Sequence, residues 1–127
     1  MAFEVKFCWN ELETRDMKSA RKFYKEVLGW TSHAWDADQP DRYVLFKAGE
    51  TVVAGMMDIN DAQFDGIPNH WFPYIQVEDI AATCAKVESS GGKIYKPPFD
   101  VPKVGKIACI ADTTGAVVGL LEPEDPM

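Results

Sequence analysis

Glu11 and Tyr74 are the residues of this 127-residue chain best suited to acid–base chemistry: a carboxylate and a phenol that can pass a proton if a fold brings them together. They stand 63 residues apart, and that interval recurs. Trp9-Asn10-Glu11-Leu12 precedes Phe72-Pro73-Tyr74-Ile75 by 63 positions, Asp16 precedes Asp79 by 63, and Gly29 precedes Gly92 by 63. A unit repeated at such a period is one supersecondary module, and two modules are expected to pair and share a core. Equivalent residues then meet at the joint, which is where a ligand is expected. Strand alternation puts Trp9, Glu11 and Glu13 on one face of a first strand. The same rule groups Phe72, Tyr74 and Gln76, with His70 in line behind them.

The elements that must position these residues follow from periodicity. Val5 to Thr14 is strand-like. Asp16 suits an N-cap, the apolar positions Met17, Ala20, Phe23, Tyr24, Val27 and Leu28 trace a helical stripe, and Gly29 suits the residue just past a helix end. Strands are expected over Trp30 to Trp35, Tyr43 to Lys47 and Thr51 to Ile59. Module one thus covers residues 5–59, residues 60–69 form a linker, and module two covers residues 70–122. In module two a strand over Trp71 to Val77 leads to a helix capped by Asp79 and ended by Gly91-Gly92. A short strand follows at Lys93 to Tyr95. The segment Pro97-Pro98-Phe99-Asp100-Val101-Pro102 is expected to be a loop, because three prolines remove three donors. A last hairpin joins Lys106–Ala111 to Ala116–Glu122, and the tail from Pro123 to Pro126 is expected to fray. The whole predicts one domain of class α+β, two tandem βαβββ modules forming a curved mixed sheet around a cavity, with the helices outside.

Composition narrows the function. Net charge is −7, from 13 basic and 20 acidic side chains, which argues against nucleic acid and permits a cationic ligand. No apolar run reaches membrane-spanning length, and the charged opening Met1-Ala2-Phe3-Glu4-Val5-Lys6 is unlike a signal peptide. Cys8, Cys84 and Cys109 are odd in number and widely spaced, so buried reduced thiols and a cytoplasmic setting are expected. No phosphate-cradling glycine loop is present, and no cysteine has a patterned histidine partner.

The run Asp16, Ala20, Phe23-Tyr24, Leu28-Gly29-Trp30 after a short strand resembles the opening of a vicinal oxygen chelate protein. That superfamily includes glyoxalase I, bleomycin resistance proteins and extradiol dioxygenases. Tyr74-Ile75-Gln76-Val77 with Asp79, Gly91-Gly92 and Ala111-Asp112-Thr113-Thr114-Gly115 resemble its second half. The resemblance spans nearly the whole chain. It is strong for the fold and weak for the reaction, since one scaffold hosts many chemistries.

Catalytic members of the superfamily hold a divalent metal with His, Glu or Gln from the first and last strands of each module. Counting back seven residues from each capping aspartate, the resemblance puts those first-strand positions at Trp9 and Phe72. Counting forward seven from Asp112 gives Gly119, and the 63-residue interval then gives Met56. None of the four side chains is a carboxylate or an imidazole, so no metal or other cofactor is expected. The expected pocket is aromatic and apolar, lined by Trp9, Glu11, Met56, Phe72, Tyr74 and Gly119. One displaced metal set remains open: Glu11, Asp58 and His70, whose carboxylates and imidazole suit Mn, Fe or Zn. The first functional expectation is a binding protein for a small, partly aromatic or cationic molecule. The second is a lyase, isomerase or dioxygenase that uses a displaced metal or Glu11 as base, with Tyr74 as its acid. Members of this superfamily commonly pair, so a homodimer is also expected.

Overall fold

The computed structural model describes residues 2–124, and residues 125–127, the end of the tail, lie outside them. The strands are β1 (Lys6–Thr14), β2 (Thr31–Ala34), β3 (Tyr43–Ala48), β4 (Thr51–Asp58), β5 (His70–Gln76), β6 (Lys93–Val101), β7 (Gly105–Ala111) and β8 (Val117–Pro123). The helices are α1 (Met17–Leu28) and α2 (Ile80–Ser89), and a short 3-10 turn lies at Ala62–Phe64. The element order is two βαβββ modules of an α+β protein, as the repeat predicts.

The chain gathers into two compact units. One runs Trp9–Phe72; among the described residues the other combines residues 2–8 with residues 73–124. In the first, the strand order is β2-β3-β4-β1, with β1 parallel to β4 and the other pairs antiparallel. In the second, the order is β6-β7-β8-β5, with β5 parallel to β8. The two sheets are therefore built on one plan.

Each helix starts where an aspartate can hold a free backbone amide. The Asp16 carboxylate accepts from Ser19 N–H at 2.9 Å and that of Asp79 from Ala82 N–H at 3.1 Å. Gly29 ends α1 in the left-handed conformation, φ 75°, and donates back to Lys25 O. One face of the first unit's sheet, formed by Leu12, Val44, Phe46, Ala54 and Met56, packs under Met17, Ala20 and Tyr24 of α1. Val77, Ile80, Cys84, Ala108, Ile110 and Leu120 make the corresponding core under α2. Phe23, Val27 and Leu28 depart from the expected helix stripe: they are 54%, 59% and 52% exposed, because only the Met17, Ala20 and Tyr24 side of α1 meets the sheet. Of the three free cysteines, Cys84 is buried, while Cys8 and Cys109 are half-buried.

The segment joining the modules is anchored by Arg15. Its guanidinium donates to Ile67 O at 2.5 Å and Phe64 O at 2.7 Å, and its backbone N–H donates to Asn69 Oδ1 at 3.0 Å. The stretch from Pro97 to Val101, expected to be a loop, is instead the continuation of β6. It is accommodated because β6 is the last strand of its unit's sheet and shifts register between Ile94 and Lys96 and again between Lys96 and Phe99. An edge strand with bulges is the one place where consecutive prolines cost few ladder bonds.

Candidate functional site

The face of β1 turned away from α1 carries Glu11 and Glu13. Their neighbour Leu12 packs beneath the helix, so alternation sends both carboxylates to the opposite side. Both are buried, at 5% and 6% exposure. A buried carboxylate is costly unless it is hydrogen-bonded, and here each one is. Tyr43, at the start of β3, lies across this face. Its hydroxyl accepts from Trp9 Nε1–H at 2.9 Å and donates to Glu11. Glu11 in turn shares a hydrogen bond with Glu13. Glu13 Oε1 lies 3.5 Å from His70 Nε2, and His70 Nδ1 donates to Pro68 O at 2.7 Å. The His70 ring also meets Phe72 edge-on, with centroids 6.0 Å apart. One continuous polar chain therefore runs from Trp9 through Tyr43, Glu11 and Glu13 to His70.

Gly55 makes the chain possible. It is the β4 residue level with Glu11, and a β-carbon there would sit 2.0 Å from the Tyr43 hydroxyl. Burial, then the negative charge of Glu11, hold the Tyr43 phenol above its ordinary range, so it stays protonated and serves as a fixed donor. Burial likewise pushes the Glu13 carboxyl up from the ordinary 4.5, and the hydrogen bond it shares with Glu11 pulls it part of the way back.

The sign of the resulting pH dependence follows. A carboxyl whose folded pKa is raised contributes stability that is fully present below the unfolded value and is lost as pH rises through the folded one. Glu13→Gln cannot ionise and keeps the shape, so its urea midpoint should hold steadier than the wild type's as pH rises above the ordinary carboxylate value of 4.5. A variant whose midpoint falls as steeply as the wild type's would show that Glu13 is not the group responsible.

Of the expected pocket residues, Trp9, Glu11 and Phe72 belong to this unit, and all three adjoin the polar chain. Tyr74 and Gly119 belong to the other unit, where they are level with each other on β5 and β8. Their neighbours Ile75 and Leu120 pack beneath α2, so this pair faces away from that helix. Met56 is elsewhere: it is fully buried under α1, level with Leu12 rather than Glu11. The 63-residue interval fails in the last strand of the module. Glu11 is level with Gly55 and Tyr74 with Gly119, so the counterpart of Gly119 is Gly55, 64 residues earlier. A one-residue slip in a strand sends the side chain to the other face. A signal for the right register was present, since Ala54-Gly55-Met56-Met57-Asp58 and Val118-Gly119-Leu120-Leu121-Glu122 share a pattern of glycine, two long apolar residues and an acid.

The displaced metal set is not assembled either. Asp58 is exposed and its carboxylate accepts from Asn60 N–H at 2.7 Å, while His70 pairs with Glu13. Among the described residues no three His, Cys, Asp or Glu side chains are gathered as a metal site requires. The inherited positions do not fit a metal on chemical grounds: an indole, a phenyl ring and two glycines offer no lone pair to a hard cation. Sequence reading overlooked Tyr43 and the pairing of Glu13 with Glu11. Gly55 was the clue, since glycine inside an apolar strand often marks close approach of another group. A separate open groove of about 300 Å³ lies on α1's side of β1, between Thr14, Asp16, Ser19, Phe23 and Asn69.

Comparisons with known proteins agree with this architecture. A sequence profile of the Glyoxalase/Bleomycin resistance protein/Dioxygenase superfamily matches residues 9–120. The chain is 37% identical over 115 residues to CFP32 of Mycobacterium tuberculosis, which bears a provisional glyoxylase name. It is 28% identical over 119 residues to the anthracycline biosynthesis protein DnrV of Streptomyces peucetius. The matches cover 91% and 85% of this chain but 43% of each relative, so the chain spans less than half the length of these curated relatives. Among solved structures, methylmalonyl-CoA epimerase of Mycobacterium tuberculosis superposes with a TM-score of 0.67 at 19% identity, covering 98% of this chain and 93% of that one. The Mn(II)-bound glyoxalase of Novosphingobium aromaticivorans gives 0.61 at 17% identity, covering 96% and 40%. With a profile match over most of its length, the chain belongs to the Glyoxalase/Bleomycin resistance protein/Dioxygenase superfamily.

Proposed function

We propose that this domain is a metal-free binding member of its superfamily, holding a small molecule with a planar aromatic part and a cationic or hydrogen-bond-donating group. The observation that carries this reading is the exchange of side chains at the superfamily's metal positions. Trp9, Gly55, Phe72 and Gly119 supply rings and space where catalytic members supply ligands, and a carboxylate, Glu11, stands two residues along the strand from Trp9. Rings recognise planar ligands and cations, and the carboxylate pair recognises a donor. Trp9, Glu11 and Phe72 form this surface in one unit, and Tyr74 with Gly119 is the corresponding place in the other. A relative named for anthracycline biosynthesis is in keeping with a planar aromatic ligand. The working form on this reading is a homodimer, which light scattering on the purified protein checks.

The test is a thermal-shift screen of planar organic cations and neutral aromatics on protein whose metal content has been measured. A true ligand should stabilise the fold by about 2.7 kcal/mol at a hundredfold excess over Kd. Glu11→Gln should remove the preference for cations over neutral rings. If no compound shifts the transition, the binding reading fails. If a divalent metal co-purifies at one equivalent and activity depends on it, the metalloenzyme reading replaces it. A second reading, an isomerase or lyase with Glu11 as base, is favoured by one feature, the hydrogen-bonded carboxylate pair beside Tyr43. A proton-exchange assay by NMR on candidate carbon acids, silent in Glu11→Gln, is the result that would support it.

A further inference from the structure

The β6–β7 hairpin carries charge opposite to the rest of the chain. Between Lys93 and Lys106 lie four lysines and one aspartate, a net +3 in a chain of net −7, so the remainder carries −10. Register sorts these residues. Lys93, Lys96 and Phe99 are level with Ala111, Cys109 and Ile107 of β7, on the face away from α2, whereas the intervening Ala108 and Ile110 belong to the α2 core. The basic side chains are interleaved with rings. Lys93 Nζ stands 4.9 Å from the centroid of Tyr95, and Lys96 Nζ stands 4.4 Å from that of Phe99. Both rings are open to solvent, Tyr95 at 55% and Phe99 at 37% exposure.

Lysines and prolines on an edge strand blunt it against pairing with other chains. That purpose accounts for Lys93, Lys96, Pro97 and Pro98, but it does not account for Tyr95 and Phe99. Exposed rings make an edge more adhesive, not less. Ammonium groups suit phosphate oxygens as strongly hydrated point charges, and open rings suit a stacked heterocycle. Lys93 and Lys96 are separated by roughly 10 Å of strand, which their flexible stems can close to the width of a diphosphate.

We propose that this β6 edge, in the unit that does not carry Glu11, binds a phosphorylated aromatic molecule of the nucleoside diphosphate type, with Lys93 and Lys96 on the phosphates and Phe99 or Tyr95 against the ring system. Because the rest of the chain is acidic, anions are repelled elsewhere, and the hairpin is the stretch of net positive charge they can meet.

The test is an NMR titration of the full chain with ADP. Saturable shifts should be confined to residues 93–106, and the affinity should fall about tenfold or more between about 50 and 500 mM salt. Lys96→Glu should weaken ADP by about tenfold or more, while Lys18→Glu on α1, with the same charge change, should have little effect. Phe99→Leu should weaken ADP about fivefold and leave pyrophosphate unchanged. The proposal is overturned if ADP gives no saturable shift at about 10 mM, or if Lys96→Glu and Lys18→Glu behave alike. Pyrophosphate binding as tightly as ADP would remove the ring from the site. Tighter binding of a single-stranded oligonucleotide than of ADP would replace the nucleotide by a nucleic acid.

Discussion

Gly55→Val is expected to destabilise this protein by about 3 kcal/mol and to dismantle the polar chain on the Glu11 face. A β-carbon at Gly55 would lie 2.0 Å from the Tyr43 hydroxyl oxygen and 2.5 Å from its ring carbon, far inside contact distance. Tyr43 must therefore swing off the sheet. Trp9 Nε1–H then loses the acceptor it holds at 2.9 Å, and Glu11 loses a donor in a buried place. Leaving a buried polar group unpaired costs about 1–3 kcal/mol by itself. Chemical denaturation measures the loss, and a double-mutant cycle assigns its cause. In a Tyr43→Ala background the space is already vacant, so the same substitution should cost under about 1 kcal/mol. Equal costs in both backgrounds would place the strain elsewhere in β4 and refute the keyhole role of Gly55.

Phe46→Ala is expected to cost about 3–5 kcal/mol, enough to remove much of the stability of a domain this size. Phe46 is fully buried at the centre of the α1 core. Its ring packs against Tyr24 at 5.6 Å and Trp30 at 5.5 Å between centroids, and Tyr24 also meets Trp71 at 5.7 Å while accepting a hydrogen bond from its indole. Truncation leaves a cavity walled by large, rigid rings that cannot close over it, which puts the cost at the upper end of the range. The melting temperature should drop by roughly 10–20 °C, and the Trp30 fluorescence should shift to the red as water enters. A loss below about 1 kcal/mol would mean that the rings repack and that Phe46 is not the centre of this core.

Much of the fold was legible because it is written in local rules. Asp16 and Asp79 cap, Gly29 terminates, and apolar periods of 2 and 3.6 separate strands from helices, all without reference to distant residues. Phe23 and the segment from Pro97 to Val101 were misread where the outcome depends on a neighbour. Phe23 fits the helix stripe yet has no sheet beneath it. The prolines fit a loop yet are tolerated in β6 because nothing in its unit pairs with its outer edge.

The candidate site divides along the same line. From the residues alone came the duplication, the orientation of Glu11 and Glu13 on one face, and the absence of metal-ligating side chains at Trp9, Phe72 and Gly119. These need only alternation and residue chemistry. The tertiary structure decided the partner of each group: that Gly55 rather than Met56 stands level with Glu11, that Tyr43 lies over it, and that His70 closes on Glu13. The reason is physical. Alternation is set by the backbone of a single strand, whereas register and cross-strand contact are set by how several strands bury their shared core, and a shift of one residue there reverses which side chains meet.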